Sequence, residues 1–124
     1  MDFALEAASF YIAEYWLGFD TNAGTVAIKL GLNSADAGTT VALMQNQMTS
    51  APGNAITLAG GVTFSKDTPA NAATSGPGGT RSWAFLVALV TTTTNPDTLK
   101  LRHASETATL TTIYNGWGRL TKMS

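Results

Sequence analysis

At 124 residues with a formal net charge of -1, the chain has room for one ordinary domain and not for two. Only 12% of it is charged and its seven basic residues are scattered, so no basic stripe exists to track a phosphate backbone, which argues against nucleic acid as a partner. The absence of cysteine removes disulfides, thiolate metal sites and cysteine nucleophiles together.

The opening stretch MDFALEAASFYIAEYWLGFD has the apolarity of a signal peptide but not its layout. Asp2 and Glu6 stand where positive charge belongs, and Glu14 interrupts the apolar core. Glu14 and Asp20 also argue against a membrane span, so no membrane partner is expected. Within this stretch FYIAEYWLGF is apolar on both faces, rich in aromatic residues and without helix caps, which favours a strand. TVAIKLGL follows, with Val26, Ile28, Leu30 and Leu32 on one face and Thr25, Ala27, Lys29 and Gly31 on the other: a half-buried strand. NSADAGTT is turn-like.

The long middle, from Gln45 to Ser82, holds Pro52, Pro69, Pro77 and many glycines. It is read as extended loop with two short strand candidates, AITLAG and GVTFSK, on either side of Gly60-Gly61. WAFLVALV then sends Trp83, Phe85, Val87 and Leu89 one way and Ala84, Leu86, Ala88 and Val90 the other. A strand apolar on both faces in an antiparallel protein needs a second cover, from another element or another subunit. TTTTNPDT is a turn in which Pro96 blocks ladder pairing. TLKLRH puts Leu99 and Leu101 inward and Lys100 and Arg102 outward, and TATLTTIY is a threonine-rich strand. Asn115-Gly116 predicts a type I′ hairpin between TLTTIY and WGRLTKM, closing a sheet. The expectation is one all-β domain over residues 1–124, an antiparallel sandwich or barrel with no helix of ordinary length.

Chemistry is hard to find. His103 is the only histidine, with Glu106 three residues on, and no G-x-S-x-G nucleophile elbow accompanies it. The eight acidic residues are spread evenly, without the facing pair of a glycosidase or the D-x-D-x-D-G pattern of a calcium loop. Glu14, on an apolar strand, calls for a structural partner such as an arginine. Gly76–Gly79 lacks the lysine and the strand-to-helix context of a phosphate cradle. The expectation is therefore no enzyme, no cofactor and no metal. Trp16 and Trp83 read as core or interface, and Trp117, flanked by Gly116 and Gly118, is the candidate ligand contact.

The order of the segments resembles a module of tailed-phage virion proteins. The N-terminal part matches an aromatic strand of the form Y-x-x-E-x-x-L (Tyr11, Glu14, Leu17), then a small loop and a strand led by glycine and holding leucine (Gly24, Leu30). The C-terminal part matches better: an apolar strand, a proline-containing turn, L-x-L-R-x-A (Leu99, Leu101, Arg102, Ala104), a threonine/alanine strand and a last strand holding Arg119-Leu120. The family is that of small jelly-roll-like β-sandwich structural proteins, used as capsid decoration (cement) proteins and as head modules of tail fibres. The resemblance implies a virion protein on the capsid surface, made in the host cytoplasm, with the major capsid protein and itself, as a homotrimer, for partners. It leaves a receptor- or glycan-binding head as the alternative. The chain starts close to the first matched strand, so an N-terminal arm that some relatives use on the capsid is not expected. A trimer would cover the strands apolar on both faces, which makes Tyr11, Tyr15, Trp16, Trp83 and Phe85 the candidate subunit-interface residues.

Overall fold

The computed structural model describes residues 1–21, 28–49, 56–58, 70–71, 82–105 and 111–123. They form nine strands: β1 (Asp2–Leu5), β2 (Phe10–Thr21), β3 (Ile28–Asn33), β4 (Thr40–Thr49), β5 (Ile56–Leu58), β6 (Ala70–Asn71), β7 (Ser82–Thr91), β8 (Asp97–Ser105) and β9 (Thr111–Lys122). No helix occurs among the described residues. The strands make two antiparallel sheets in a sandwich, one ordered β1-β8-β3-β6 and the other β5-β4-β7-β2-β9. The pairing is nested, with β1 on β8, β2 on β7, β3 on β6 and β4 on β5, and β9 added outside β2.

Side-chain alternation places the core between the layers. From the larger sheet come Tyr11, Ala13, Tyr15, Leu17 and Phe19 of β2 and Ala84, Leu86, Ala88 and Val90 of β7; from the smaller come Leu5, Leu30, Leu32 and Leu99. Bulk is complementary across the β2–β7 ladder, where Phe19 pairs with Ser82 and Leu17 with Ala84. The expected split of β7 into two faces holds, as do inward Leu99 and outward Arg102 on β8. AITLAG contains β5, whereas GVTFSK and Val26 lie outside the described residues. Polar Gln45–Thr49, read as the start of a loop, continues β4 instead: its backbone pairs with β7 on one side and β5 on the other.

The predicted Asn-Gly hairpin is overturned. Asn115 and Gly116 lie within β9, a single strand laid along β2 from the Tyr11–Lys122 pair to the Thr21–Thr111 pair. The glycines there serve a different need. β1 and β9 are each one edge strand of their layer, and the side chains of Met1 and Phe3 reach across to the floor of β9. A Cβ on Gly118 would lie 2.5 Å from Met1 Sδ, 2.8 Å from Phe3 Cζ and 3.3 Å from Tyr15 Cδ1, and one on Gly116 would lie 2.9 Å from Met1 Cε. The pair therefore forms a trough for the N-terminal strand, whose position is fixed by the bond from Leu101 N to Met1 O at 3.1 Å. Gly118→Val is expected to cost about 1–2 kcal/mol by overpacking this trough, read as a lower midpoint in urea unfolding with an unchanged slope.

The turns at one end of the sandwich are tied together. Thr92 Oγ1 accepts from Ser9 N at 2.9 Å and donates to Glu6 O at 2.7 Å, while Thr92 N donates to Ser9 O at 2.9 Å. Ala8, at φ 48°, takes the left-handed conformation that this β1–β2 turn needs, and its N–H donates to Thr93 O. The β3–β4 turn, expected from NSADAGTT, closes through Thr39 N to Asp36 O at 3.1 Å and is held by Asp97 at the start of β8.

Candidate functional site

The side chains that β2, β7 and β9 turn away from the core form the outer face of the larger sheet. Register sets its rows: Trp117, Trp16 and Phe85 lie side by side across three strands, as do Arg119, Glu14 and Val87, then Thr121, Ile12 and Leu89. Trp16 stacks on Phe85 with ring centroids 4.0 Å apart and an interplanar angle of 28°. Trp16 and Trp83 are each 41% exposed and Trp117 51%, so three indoles reach solvent on one face.

One glycine governs the crowding there. Gly18 sits between Asn115 and Trp83, and a Cβ on it would run into Asn115 Oδ1 and come within 3.3 Å of Trp83 Cζ3. With only hydrogen at Gly18, the amide and the indole can both lean over the strand. Just beyond, the register slips. Gly18 faces Asn115 but Phe19 faces Ile113, leaving Tyr114 as the extra residue of a β-bulge. Its ring is exposed, and its hydroxyl donates to Asp20 Oδ2 at 3.3 Å. Asp20 Oδ1 has no hydrogen-bond partner among the described residues.

The polar pair on this face is Glu14 and Arg119, with Arg119 Nε donating to Glu14 Oε2 at 2.5 Å. The arginine expected for Glu14 is thus its cross-strand neighbour, and the two charges cancel on the surface. The Arg119 guanidinium carbon lies 6.0 Å from the centre of the Trp117 ring, a cation–π approach.

The five candidate interface residues divide. Trp16, Trp83 and Phe85 lie on the outer face, but Tyr11 and Tyr15 do not: at 3% and 0% exposure they fill the chain's own core. Tyr11, Ala13, Tyr15, Leu17 and Phe19 of β2 point inward, so the two tyrosines and Trp16 belong to opposite sides of the same strand. Tyr11 Oη accepts from Glu6 N at 2.7 Å, and Tyr15 packs against Phe3 with ring centroids 5.2 Å apart. Trp117 stands exposed on the outer face. Sequence reasoning missed Asn115, Tyr114 and Gly18, because a bulge on an edge strand leaves no local pattern.

His103 is exposed on β8, paired in register with Leu30, while Glu106 and Gly76–Gly79 lie outside the described residues. Among the described residues no cluster of three His, Asp or Glu side chains is gathered as a metal site needs, and no helix is long and apolar enough to cross a membrane. Comparisons with protein-family models, with curated proteins and with solved structures found no match to this chain.

Proposed function

We propose that the chain is a structural protein of a tailed-bacteriophage virion: a capsid decoration (cement) protein that assembles as a homotrimer and stabilises the lattice of the major capsid protein. The observation that carries this reading is the apolar outer face. Phe10, Ile12, Phe85, Val87 and Leu89 are half-buried there, next to the exposed rings of Trp16 and Trp83. A contiguous apolar surface on a chain that is only 12% charged marks an interaction site and suits cover by second copies of itself. Two further points support it. The nested pairing of eight strands supports reading the sandwich as a jelly roll, an architecture common in viral shells. The segment order resembles that of phage decoration modules.

The mechanism is passive. No group on the chain is asked for catalysis, and no cofactor enters. Identical weak contacts repeated over symmetric positions of a shell add through multivalency, so each copy needs little affinity of its own. The β7 side of the outer face supplies the contact between copies.

The test is the copy number of the chain in purified virions, measured by quantitative mass spectrometry against the major capsid protein. The expected result is a number of the same order as the shell subunits. A handful of copies per particle would move the chain to the tail and favour the receptor-binding head, and its absence would end the virion reading. In solution, sedimentation is expected to give a trimer, and Leu89→Lys a folded monomer, because a charge then occupies the middle of the apolar contact.

A further inference from the structure

We infer that Asn115-Gly116 is a site of spontaneous covalent modification, where the asparagine loses its side-chain amide to water at a rate set by the opening of β9. Asn115 is the only asparagine of the sequence that glycine follows. Both residues are exposed, and the Asn115 amide makes no hydrogen bond among the described residues. Glycine in second place leaves the backbone nitrogen unscreened by a Cβ and the chain there free to turn. The strand is also weak at this point. β9 is an edge strand paired on β2 alone, and the bulge at Tyr114 interrupts its ladder beside Asn115. Gly116 and Gly118 add no side chains of their own to hold it. Such a segment opens at low cost, and each opening frees Asn115 from the extended backbone that keeps its Cγ away from Gly116 N.

The reaction needs water and no other reagent. Gly116 N attacks Asn115 Cγ, the new C–N bond closes a five-membered imide, and the side-chain nitrogen leaves as ammonia with the proton that the backbone nitrogen lost. Water then opens the imide at one of its two carbonyls. One cleavage leaves an aspartate on an intact backbone. The other leaves an isoaspartate, whose backbone is longer by one carbon and cannot keep the register of β9 on β2. Both products put a carboxylate where the amide stood. Asn115 and Trp83 flank Gly18 so closely that a Cβ there would run into Asn115 Oδ1 and come within 3.3 Å of Trp83 Cζ3. The new charge therefore arises beside Trp83, and next in sequence to Tyr114, whose hydroxyl already donates to the Asp20 carboxylate. Trp83 belongs to the face where contact between copies is placed, so the modified chain holds its neighbours less tightly. That consequence rests on the decoration reading; the conversion itself does not.

The test incubates the folded protein for weeks in mildly alkaline buffer and follows each asparagine by peptide mapping, with isoaspartate identified by enzymatic methyl labelling. Asn115 is expected to convert before any other asparagine, with isoaspartate among the products. Gly116→Ala is expected to slow the conversion about tenfold, because a Cβ then screens the nitrogen; it meets only the mobile end of Met1, so the fold is kept. Leu120→Ala, which loosens the packing of β9 on the core, is expected to speed it. The inference is overturned if Asn115 keeps its amide in the folded protein, if another asparagine converts first, or if Gly116→Ala converts as fast as the parent. An unchanged rate in Leu120→Ala overturns the control by strand opening. Asn115→Asp, examined by sedimentation, is expected to associate more weakly than the parent, and equal association overturns the consequence for contact between copies. A parent that sediments as a monomer while Asn115 still converts would count against the decoration reading and leave the modification site standing.

Discussion

Tyr15→Ala is expected to destabilise the fold by about 3–5 kcal/mol, while Tyr15→Phe is expected to be neutral or to stabilise it by up to about 1 kcal/mol. The ring is fully buried between the layers, against Phe3 of β1 and the trough at Gly118, and it pairs in register with Leu86. Removing it opens a cavity under both edge strands at once. The hydroxyl is another matter. Tyr15 Oη is buried without a hydrogen-bond partner among the described residues, and burial, with the Asp2 carboxylate adding to it, pushes the phenol above its ordinary range. An unpartnered buried hydroxyl costs desolvation and returns nothing, so deleting it leaves packing intact and removes that cost. Urea unfolding should show the alanine midpoint far below that of the parent and the phenylalanine midpoint at or above it, with equal slopes. The alanine loss should also be independent of protein concentration, because Tyr15 lies within one chain; a loss that shrank on dilution would mean burial between subunits. A Tyr15→Phe variant as weak as one lacking a buried hydrogen bond would show that the phenol has a partner.

The same residue shows what the sequence could and could not disclose. The alternation of β2 and β7 is visible as period-two patterning, and it divides each strand correctly into two sets. Which set faces the other layer is not visible, because both are apolar. The larger side chains of β7, Trp83 and Phe85, went outward, and the smaller Ala84 and Ala88 inward. The inner volume was already taken by Tyr11, Tyr15 and Phe19 of the neighbouring strand, and a gap of about 10 Å between packed sheets holds only so much. Hydrophobicity ranks residues one at a time, whereas the choice of face depends on what the adjacent strand supplies.

Asn115-Gly116 failed for a related reason. In isolation the dipeptide is the strongest short-range sign of a tight hairpin, and its local preference is real. Here Gly116 and Gly118 are selected by Met1 and Phe3, more than a hundred residues away in the chain, whose side chains need room above β9. The long pairing of β9 with β2 outweighs the turn preference of two residues. The outer-face cluster along β9 was legible only through Trp117, since its other members depend on that same register and on a bulge. The β3–β4 turn, by contrast, was legible because its chemistry is local: Asp36 Oδ1 accepts from Gly38 N at 3.1 Å, two residues on.

Asp97 carries the second large effect, and its sign can be worked out. Its carboxylate is 8% exposed and accepts three backbone N–H groups: Ala35 at 3.0 Å and Thr98 at 2.7 Å on Oδ1, and Asp36 at 3.3 Å on Oδ2. Burial opposes ionisation, but the bonds from Thr98, Ala35 and Asp36 outweigh it and hold the carboxyl below its ordinary range. A group with a lowered folded-state pKa stabilises the fold above its unfolded pKa. That contribution is lost as the pH falls below about 4 towards the folded value. The β3–β4 turn and the start of β8 should therefore loosen together in acid. Asp97→Ala is expected to cost about 2–3 kcal/mol at pH 7, since it leaves three inward-turned donors without their acceptor. Asp97→Asn should cost less, because one oxygen survives while its amide must face an N–H group. The informative measurement is the stability gap between Asp97→Asn and the parent as a function of pH. It should be constant from pH 5 to pH 8 and narrow steadily below about pH 4, where the parent's own carboxylate takes up a proton. The neighbouring Asp36 carboxylate accepts from Thr93 Oγ1 at 2.5 Å and from Gly38 N, so it serves as an internal comparison on the same turn. A gap that stayed constant down to pH 3 would mean that the shape of Asp97, and not its charge, holds the two segments together.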